Sequence, residues 1–339
     1  MMHRWDQAIC DEVIQIQYER EFAHLAIDVL MALGYGGRNG QVERIAEWIH
    51  DYNCLALVNL ILPGVQSYPL KLLFTRLLAS KDAFKDAVAA AVKKRQEEKD
   101  SKCVDMLQAL LGSSETSTQQ VIAENMALII AGTDIVAQTL TWTVHYLMLY
   151  PNAYDQATHE VRSTFARDHL ITSAEARAQL PFTEACLYEA LRICAATGVF
   201  LPRVVPKEGI WMQGHFLPGG TQLCVNVAGA NHHRETWQNP RRFVPQRFID
   251  NPQLKAQVLS FSSGARMCPG RSLALCEMLP VLANLLKNYS FATPKDAQFG
   301  SWSTDADGNP IAMPRRHLFT VVGPQNPDRD CQIIVQHAK

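Results

Sequence analysis

Ten residues, Phe261-Ser-Ser-Gly264-Ala-Arg266-Met-Cys268-Pro-Gly270, hold one cysteine in a short loop between two glycines, with an arginine two residues before it. The loop leads into an apolar, helix-forming stretch from Arg271 to Leu286. Pro269 suits a first helical position, where a missing N–H would be unpaired anyway. Cys268 is therefore expected just outside a helix N-terminus, where the dipole favours negative charge and draws a thiol toward thiolate. A thiolate is the donor that a soft or borderline metal takes. Gly264 and Gly270 let the backbone approach a flat ligand without Cβ clashes, and N–H groups around the sulfur can tune the metal. The plain alternative is a buried structural cysteine, since free cysteine is among the most buried residue types.

Further chemistry-bearing residues stand in order along the chain. Glu189 and Arg192, in Leu187-Tyr-Glu-Ala-Leu-Arg192, are three apart and share a helix face. Alone they would be an exposed ion pair worth about 0.2–0.5 kcal/mol. Leu201-Pro-Arg203 and Pro245-Gln-Arg247-Phe248 each add an arginine. Ala131-Gly132-Thr133-Asp134-Ile135-Val136 places an acid beside a glycine within a long apolar helix.

Taken together, these motifs resemble those of the cytochrome P-450 (haem-thiolate) family. The loop matches Phe-x-x-Gly-x-Arg-x-Cys-x-Gly in full. The resemblance implies haem b, an iron protoporphyrin, with Cys268 as the axial thiolate ligand of the iron. It implies that Phe261, Gly270 and Ala131 line the haem and that Arg203 and Arg266 meet its propionates. Glu189, Arg192 and Arg247 become a structural clamp behind the haem, because a carboxylate between two planar guanidinium groups is held strongly and directionally. Asp134 becomes a proton relay, and Gly132 a point where the helix can distort to make room for dioxygen.

Two departures stand out. The family has a threonine after the acid, and here that residue is Ile135. Thr133 lies about 200° around the helix and cannot substitute. Thr139 shares the face of Ile135, roughly 6 Å along the axis, where it can hold a water. The usual proton-delivering hydroxyl is thus missing from its place. The second departure is at the front, where a Trp-x-x-x-Arg propionate motif is expected; Trp5 is followed by Ala8 and Ile9 instead. The resemblance covers nearly all of this chain but only the later three-quarters or less of a usual member. A short natural variant, a degenerate copy and an incomplete gene model all fit that.

Those residues must be positioned by helices. Apolar spacing predicts helices over 12–33, 42–62, 81–98, 117–149, 152–167 and 173–194, with a short apolar piece over 101–112. From Val204 the pattern turns to short β-type runs punctuated by Gly and Pro, and after Phe291 it is again β and turn. The expected fold is mainly α with small β-sheets: the family fold lacking its usual N-terminal portion, as one unit over 1–339.

Composition agrees. The 339 residues are 47% hydrophobic and 19% charged, ordinary for a globular chain, and the net charge of −1 with no basic stripe argues against nucleic acid as a partner. Nine cysteines without a CxxC pair point to a reducing compartment. Eleven histidines form no HExxH motif. No signal peptide and no run of spanning length is read from the sequence; the nearest, Cys54 to Val65, is taken as a buried helix end, with a surface dip into a membrane second.

The function these features imply is a haem-thiolate monooxygenase. It would oxidise a hydrophobic small molecule with electrons from an NADPH-dependent reductase, in the style of fungal secondary metabolism. The resemblance implies an intracellular protein, cytoplasmic or peripheral at the endoplasmic reticulum membrane, with no transmembrane anchor in this chain. Leu128, Ala131, Val199, Phe200, Ile311 and Ala312 are candidate pocket residues. Two alternatives stay open: a haem-thiolate isomerase, dehydratase or peroxide user, kept by Ile135, and a non-catalytic truncated haem-binding remnant, kept by the short front.

Overall fold

Among the described residues, helices and one short strand run to residue 193, and short strands and loops then surround one more long helix. The computed structural model describes residues 1–10, 15–35, 42–97, 105–112, 116–197, 201–318 and 321–338. In order, the first elements are α1 (Met2–Cys10), β1 (Gln15–Gln17), α2 (Tyr18–Tyr35), α3 (Val42–Ile61), α4 (Thr75–Glu97), α5 (Met106–Leu111), α6 (Thr118–Leu149), α7 (Pro151–Thr164), α8 (Ser173–Gln179) and α9 (Pro181–Ile193). Next come β2 (Arg203–Val204), β3 (Ile210–Met212), β4 (His215–Leu217), β5 (Gln222–Leu223), α10 (Val227–Asn231), α11 (Gln246–Asp250) and α12 (Arg271–Asn288). The chain closes with β6 (Tyr289–Ala292), β7 (Arg315–Leu318), β8 (Val321–Pro324), α13 (Pro327–Asp330) and β9 (Gln332–His337). The fold is mainly α with small antiparallel sheets, as expected.

α6 is the axis of the molecule. A capping box starts it: Ser117 Oγ accepts from Gln120 N, and Ser117 N donates 2.8 Å to the Gln120 side chain. From Val136 to Leu147 every residue is buried, because α2, α9, α12 and β8 pack around it. α6 is also long and apolar enough to cross a bilayer, with a mean hydropathy of 1.3 over its most apolar window. That corrects the expectation that no such run exists; the packing of its second half explains its apolar character. One core cluster gathers around that half, with Trp142, Leu187, Trp237 and Leu282. A second lies between α3, α4 and the first half, with Ile49, Phe84, Val88 and Ile129. α2 and α6 contribute to both.

Several boundaries differ from the sequence expectation. The helix predicted over 173–194 breaks, because Pro181 cannot continue α8 but suits the first turn of α9. Glu160 of α7 then accepts from Phe182 N and Thr183 N, each at 2.8 Å, which satisfies the unpaired first N–H groups of α9. The helix predicted from Glu12 gives way to β1, which pairs with β9 in the register Gln15↔Ile334, and α2 starts at Tyr18. α4 starts at Thr75 rather than Lys81. The polar front of the chain forms α1, whose Trp5 is 1% exposed and packs edge-on against Tyr289 at 5.4 Å and Phe291 at 6.0 Å. The end of α3 is not buried: Ile61 is 74% exposed, and Leu62, Tyr68, Leu72 and Leu73 are exposed beside it. The β3–β4 hairpin turns at Gln213 and Gly214, both with positive φ, as a tight two-residue loop demands.

Candidate functional site

The cysteine loop is wound by its own backbone. Cys268 N donates to Phe261 O at 2.8 Å, Met267 N to Gly264 O at 3.0 Å, and Arg271 N to Cys268 O at 3.3 Å. Gly264 has φ +69° with open space where a Cβ would stand, and Ser262 is held at φ 59°, a strained region for a non-glycine. Gly270 is the N-cap of α12, so Pro269 stands before the cap and not at the first helical position. The first helical bond, Ala274 N to Gly270 O at 2.8 Å, sets that boundary. Cys268 is a free thiol, half-buried at the edge of the larger core cluster. A Cβ on Gly270 would lie 3.8 Å from its sulfur, so glycine leaves that flank open. Phe261 is buried, with the Arg271 guanidinium 5.8 Å from its ring centroid.

Glu189, Arg192 and Arg247 meet. Arg192 Nε and Nη2 donate to the two oxygens of Glu189, both at 2.8 Å. Arg247 Nε and Val244 N donate to Glu189 Oε1 at 3.2 Å and 2.9 Å. Neither Glu189 nor Arg192 has any exposed side-chain surface. Arg192 Nη1 also donates to Asn231 O and Pro240 O at 2.8 Å, and its guanidinium lies 5.2 Å from the Trp237 ring centroid. Asn231 then ties this cluster to the cysteine loop: its Oδ1 accepts from Leu259 N at 3.0 Å and its Nδ2 donates to Ser260 Oγ at 3.2 Å. Ser260 Oγ donates onward to Leu191 O at 2.6 Å. Asn231 and Ser260 carry no motif of their own in the sequence; their role depends on which backbone groups the fold brings near.

Arg203 and Arg266 line one cavity of about 530 Å³ together with Leu201, Pro202 and Val204. Among the described residues neither arginine pairs with a carboxylate; Arg203 Nη1 donates only to Leu201 O and Pro202 O. Leu201, Val204 and Met267 are exposed. On α6, Leu128 and Ala131 are exposed too, while Ile135 on the same side is partly covered. Two cations without acidic partners, an apolar lining and a thiol on a glycine-flanked loop form a donor set that fits a flat, apolar iron porphyrin bearing two carboxylates.

The acid segment of α6 lies against α2 and α3. Gly132 lies against α2: a Cβ there would come 2.9 Å from a Leu30 methyl, and α6 continues through it as an unbroken helix. Its smallness lets Leu30 of α2 pack close. Asp134 Oδ2 accepts from Asn53 Nδ2 of α3 at 2.7 Å. Burial chiefly, then the charge of Glu19, pushes its carboxyl up to about 7, against the opposing pull of Asn53 and Arg316. Thr139 is 1% exposed, and its hydroxyl donates to Ile135 O at 2.7 Å, so its proton is already committed to the helix. Ile311 is exposed and Ala312 partly so. Val199 and Phe200 lie outside the described residues. Asn53, the one hydrogen-bond partner of the Asp134 side chain among the described residues, could not be singled out from sequence, since 81 residues separate the pair.

The family model for cytochrome P450 matches residues 2–305. The chain is 34% identical to the cytochrome P450 monooxygenase helB1 of Aspergillus fumigatus, over 98% of this chain and 60% of that protein. It is 35% identical to helB2 of the same fungus, over 96% and 67%. The chain thus spans roughly three-fifths to two-thirds of the length of these relatives. Among solved structures, the haem domain of cytochrome P450DA aligns with a TM-score of 0.79 at 19% identity, over 96% of this chain and 69% of that one.

Proposed function

The chain belongs to the cytochrome P450 family, and from that premise we propose that residues 1–339 act as one haem-thiolate unit that oxygenates a hydrophobic small molecule, with Cys268 as the iron ligand and an NADPH-dependent reductase as electron source. The observation that carries this reading is the loop at Phe261–Gly270, wound on its own backbone and braced through Asn231 and Ser260 to the Glu189 clamp. The family's cofactor, haem b, supplies the oxidising chemistry when bound. Cys268 would ligate the iron, and Arg203 and Arg266 would meet the two propionates. Leu128, Ala131 and Ile135 would present an apolar wall to the bound group. Asp134 holds a proton that it can give up near neutral pH. Both compared monooxygenases are fungal, which supports a role in secondary metabolism. The exposed Ile61, Leu62, Tyr68, Leu72 and Leu73 between α3 and α4 support peripheral contact with a membrane.

The test supplies haem-loaded protein with reductase, NADPH, labelled dioxygen and a library of apolar small molecules. Incorporation of one labelled oxygen atom into a product is expected; full haem occupancy with no incorporation would overturn the reading. A second reading, favoured by Ile135 and by the bond from Thr139 to Ile135 O, is a haem-thiolate isomerase, dehydratase or peroxide user that consumes no dioxygen. Ile135→Thr separates the two. Under the first, product formed per NADPH consumed rises; under the second, it stays where it was.

A further inference from the structure

We propose that the free edge of β5 and the apolar cavity beside it take one extended, apolar strand, supplied by the part of a helB-type monooxygenase that has no counterpart in this chain. The proposal rests on membership of the family and not on oxygenation. A second cavity of about 530 Å³ adjoins the one lined by Arg203 and Arg266, and the two share Leu201, Arg203 and Val204. Ile210, Met212, Leu223 and Val225 make its wall apolar, and Arg203 is the one charged residue in its lining. Val204 is 65% exposed and Val225 61%, and Leu201 and Met212 are exposed with them. A contiguous apolar surface of this kind marks a place where another surface binds.

The backbone shows how it would be covered. β5 pairs only with β2, in the register Arg203↔Leu223 and Val204↔Gln222. Val205 N donates to Thr221 O at 2.9 Å, so Thr221 and Leu223 turn their backbone groups toward β2. By the same alternation Gln222 turns its N–H and C=O to the opposite edge. Cys224 and Val225, which follow, make no backbone hydrogen bond among the described residues. Exposed edges in native proteins are guarded by lysine or proline, and Gln222-Leu-Cys-Val225 carries neither. A sheet of two short strands is marginal alone. A third strand along Gln222 would complete it and send alternate side chains into the cavity. The occupant follows from length and place. This chain spans 60% of helB1 and 67% of helB2, so each relative carries a long stretch with no counterpart here. The cavity adjoins the proposed haem site, so a strand seated there belongs to the same functional unit.

The experiment co-expresses the full chain with the part of helB2 that has no counterpart here, and repeats the binding with overlapping synthetic peptides that tile that part. A one-to-one complex is expected, with the Gln222 amide protected from hydrogen exchange only when the complex forms. Val225→Lys, which sets a charge on the free edge, is expected to weaken binding about tenfold. Trp302→Lys, on an exposed loop, is expected to leave it unchanged. If Val225→Lys loses its helical circular dichroism, protection of Gln222 decides alone. No complex with either form of the segment overturns the proposal, as does a complex that leaves the Gln222 amide unprotected or that a folded Val225→Lys does not weaken. Protection that rises with the concentration of the chain alone assigns the edge to a second copy and overturns it. Protection by phosphatidylcholine vesicles but not by the segment assigns it to lipid, with the same consequence. None of these readouts needs turnover, so failure here leaves the monooxygenase reading standing.

Discussion

Glu189 and Asp134 are both carboxylates set on helices, and their surroundings differ sharply. Glu189 meets four donors, two from Arg192 and one each from Arg247 and Val244. Asp134 meets a single amide, that of Asn53. A carboxylate met by four donors, two of them from one guanidinium, is fixed in place and holds structure. A desolvated carboxylate with one partner sits near its titration point, so it can trade protons. The carboxylate behind the cysteine loop is thus held in position by its donors, and the one in the middle of α6, the proposed proton relay, is held by far fewer. Glu277 of α12 extends the series: it is 9% exposed, its Oε1 is unpartnered, and burial alone pushes its carboxyl up to about 8.

The largest expected effect comes from breaking the saturated side. Arg192→Ala strands Glu189 in a fully buried site, and removing one partner of a buried pair costs about 3–5 kcal/mol. Low soluble yield and little haem uptake are expected, measured by thermal melting and haem absorbance; a well-folded, fully loaded variant would show that the cluster does not brace the loop.

Next is the unsatisfied extreme. Folded Glu277 keeps a proton that the unfolded chain releases from about pH 4.5 upward, so stability falls as pH rises to about 8 and stays lowered above it. Glu277→Gln is expected to be on the order of 2–4 kcal/mol more stable than the parent at pH 9 and no more stable at pH 4. Melting curves at the two pH values check this, and an equal gain at both would contradict it. The smallest effect is at Gly132. Alanine there gains about 1 kcal/mol of helix propensity, and the Leu30 methyls it meets are the ends of a flexible side chain. Gly132→Ala should stay within roughly 1 kcal/mol of the parent. A large loss on denaturant unfolding would mean that α2 cannot give way.

What was legible in the sequence follows the range of the forces involved. The Glu189–Arg192 pair and the cysteine loop are local patterns, written in three-residue spacing and glycine placement, and both are found where those patterns put them. The long helix was readable from its apolar run. The break at Pro181 was also local, but continuous apolar periodicity on both sides masked it. The packing of Gly132 was not legible, because only the approach of Leu30 from another helix shows how close a neighbour stands there. Asn53, Asn231 and Ser260 act through partners 28 to 81 residues away, and spacing along one helix carries no trace of them.

The central claim is that Cys268 binds haem iron as a thiolate. The direct measurement is the carbon monoxide difference spectrum of the reduced, haem-reconstituted protein, taken for the parent, Cys268→Ala and Cys276→Ala. The account predicts the thiolate-type band in the parent and in Cys276→Ala, and its loss in Cys268→Ala. Persistence of that band in Cys268→Ala would contradict it.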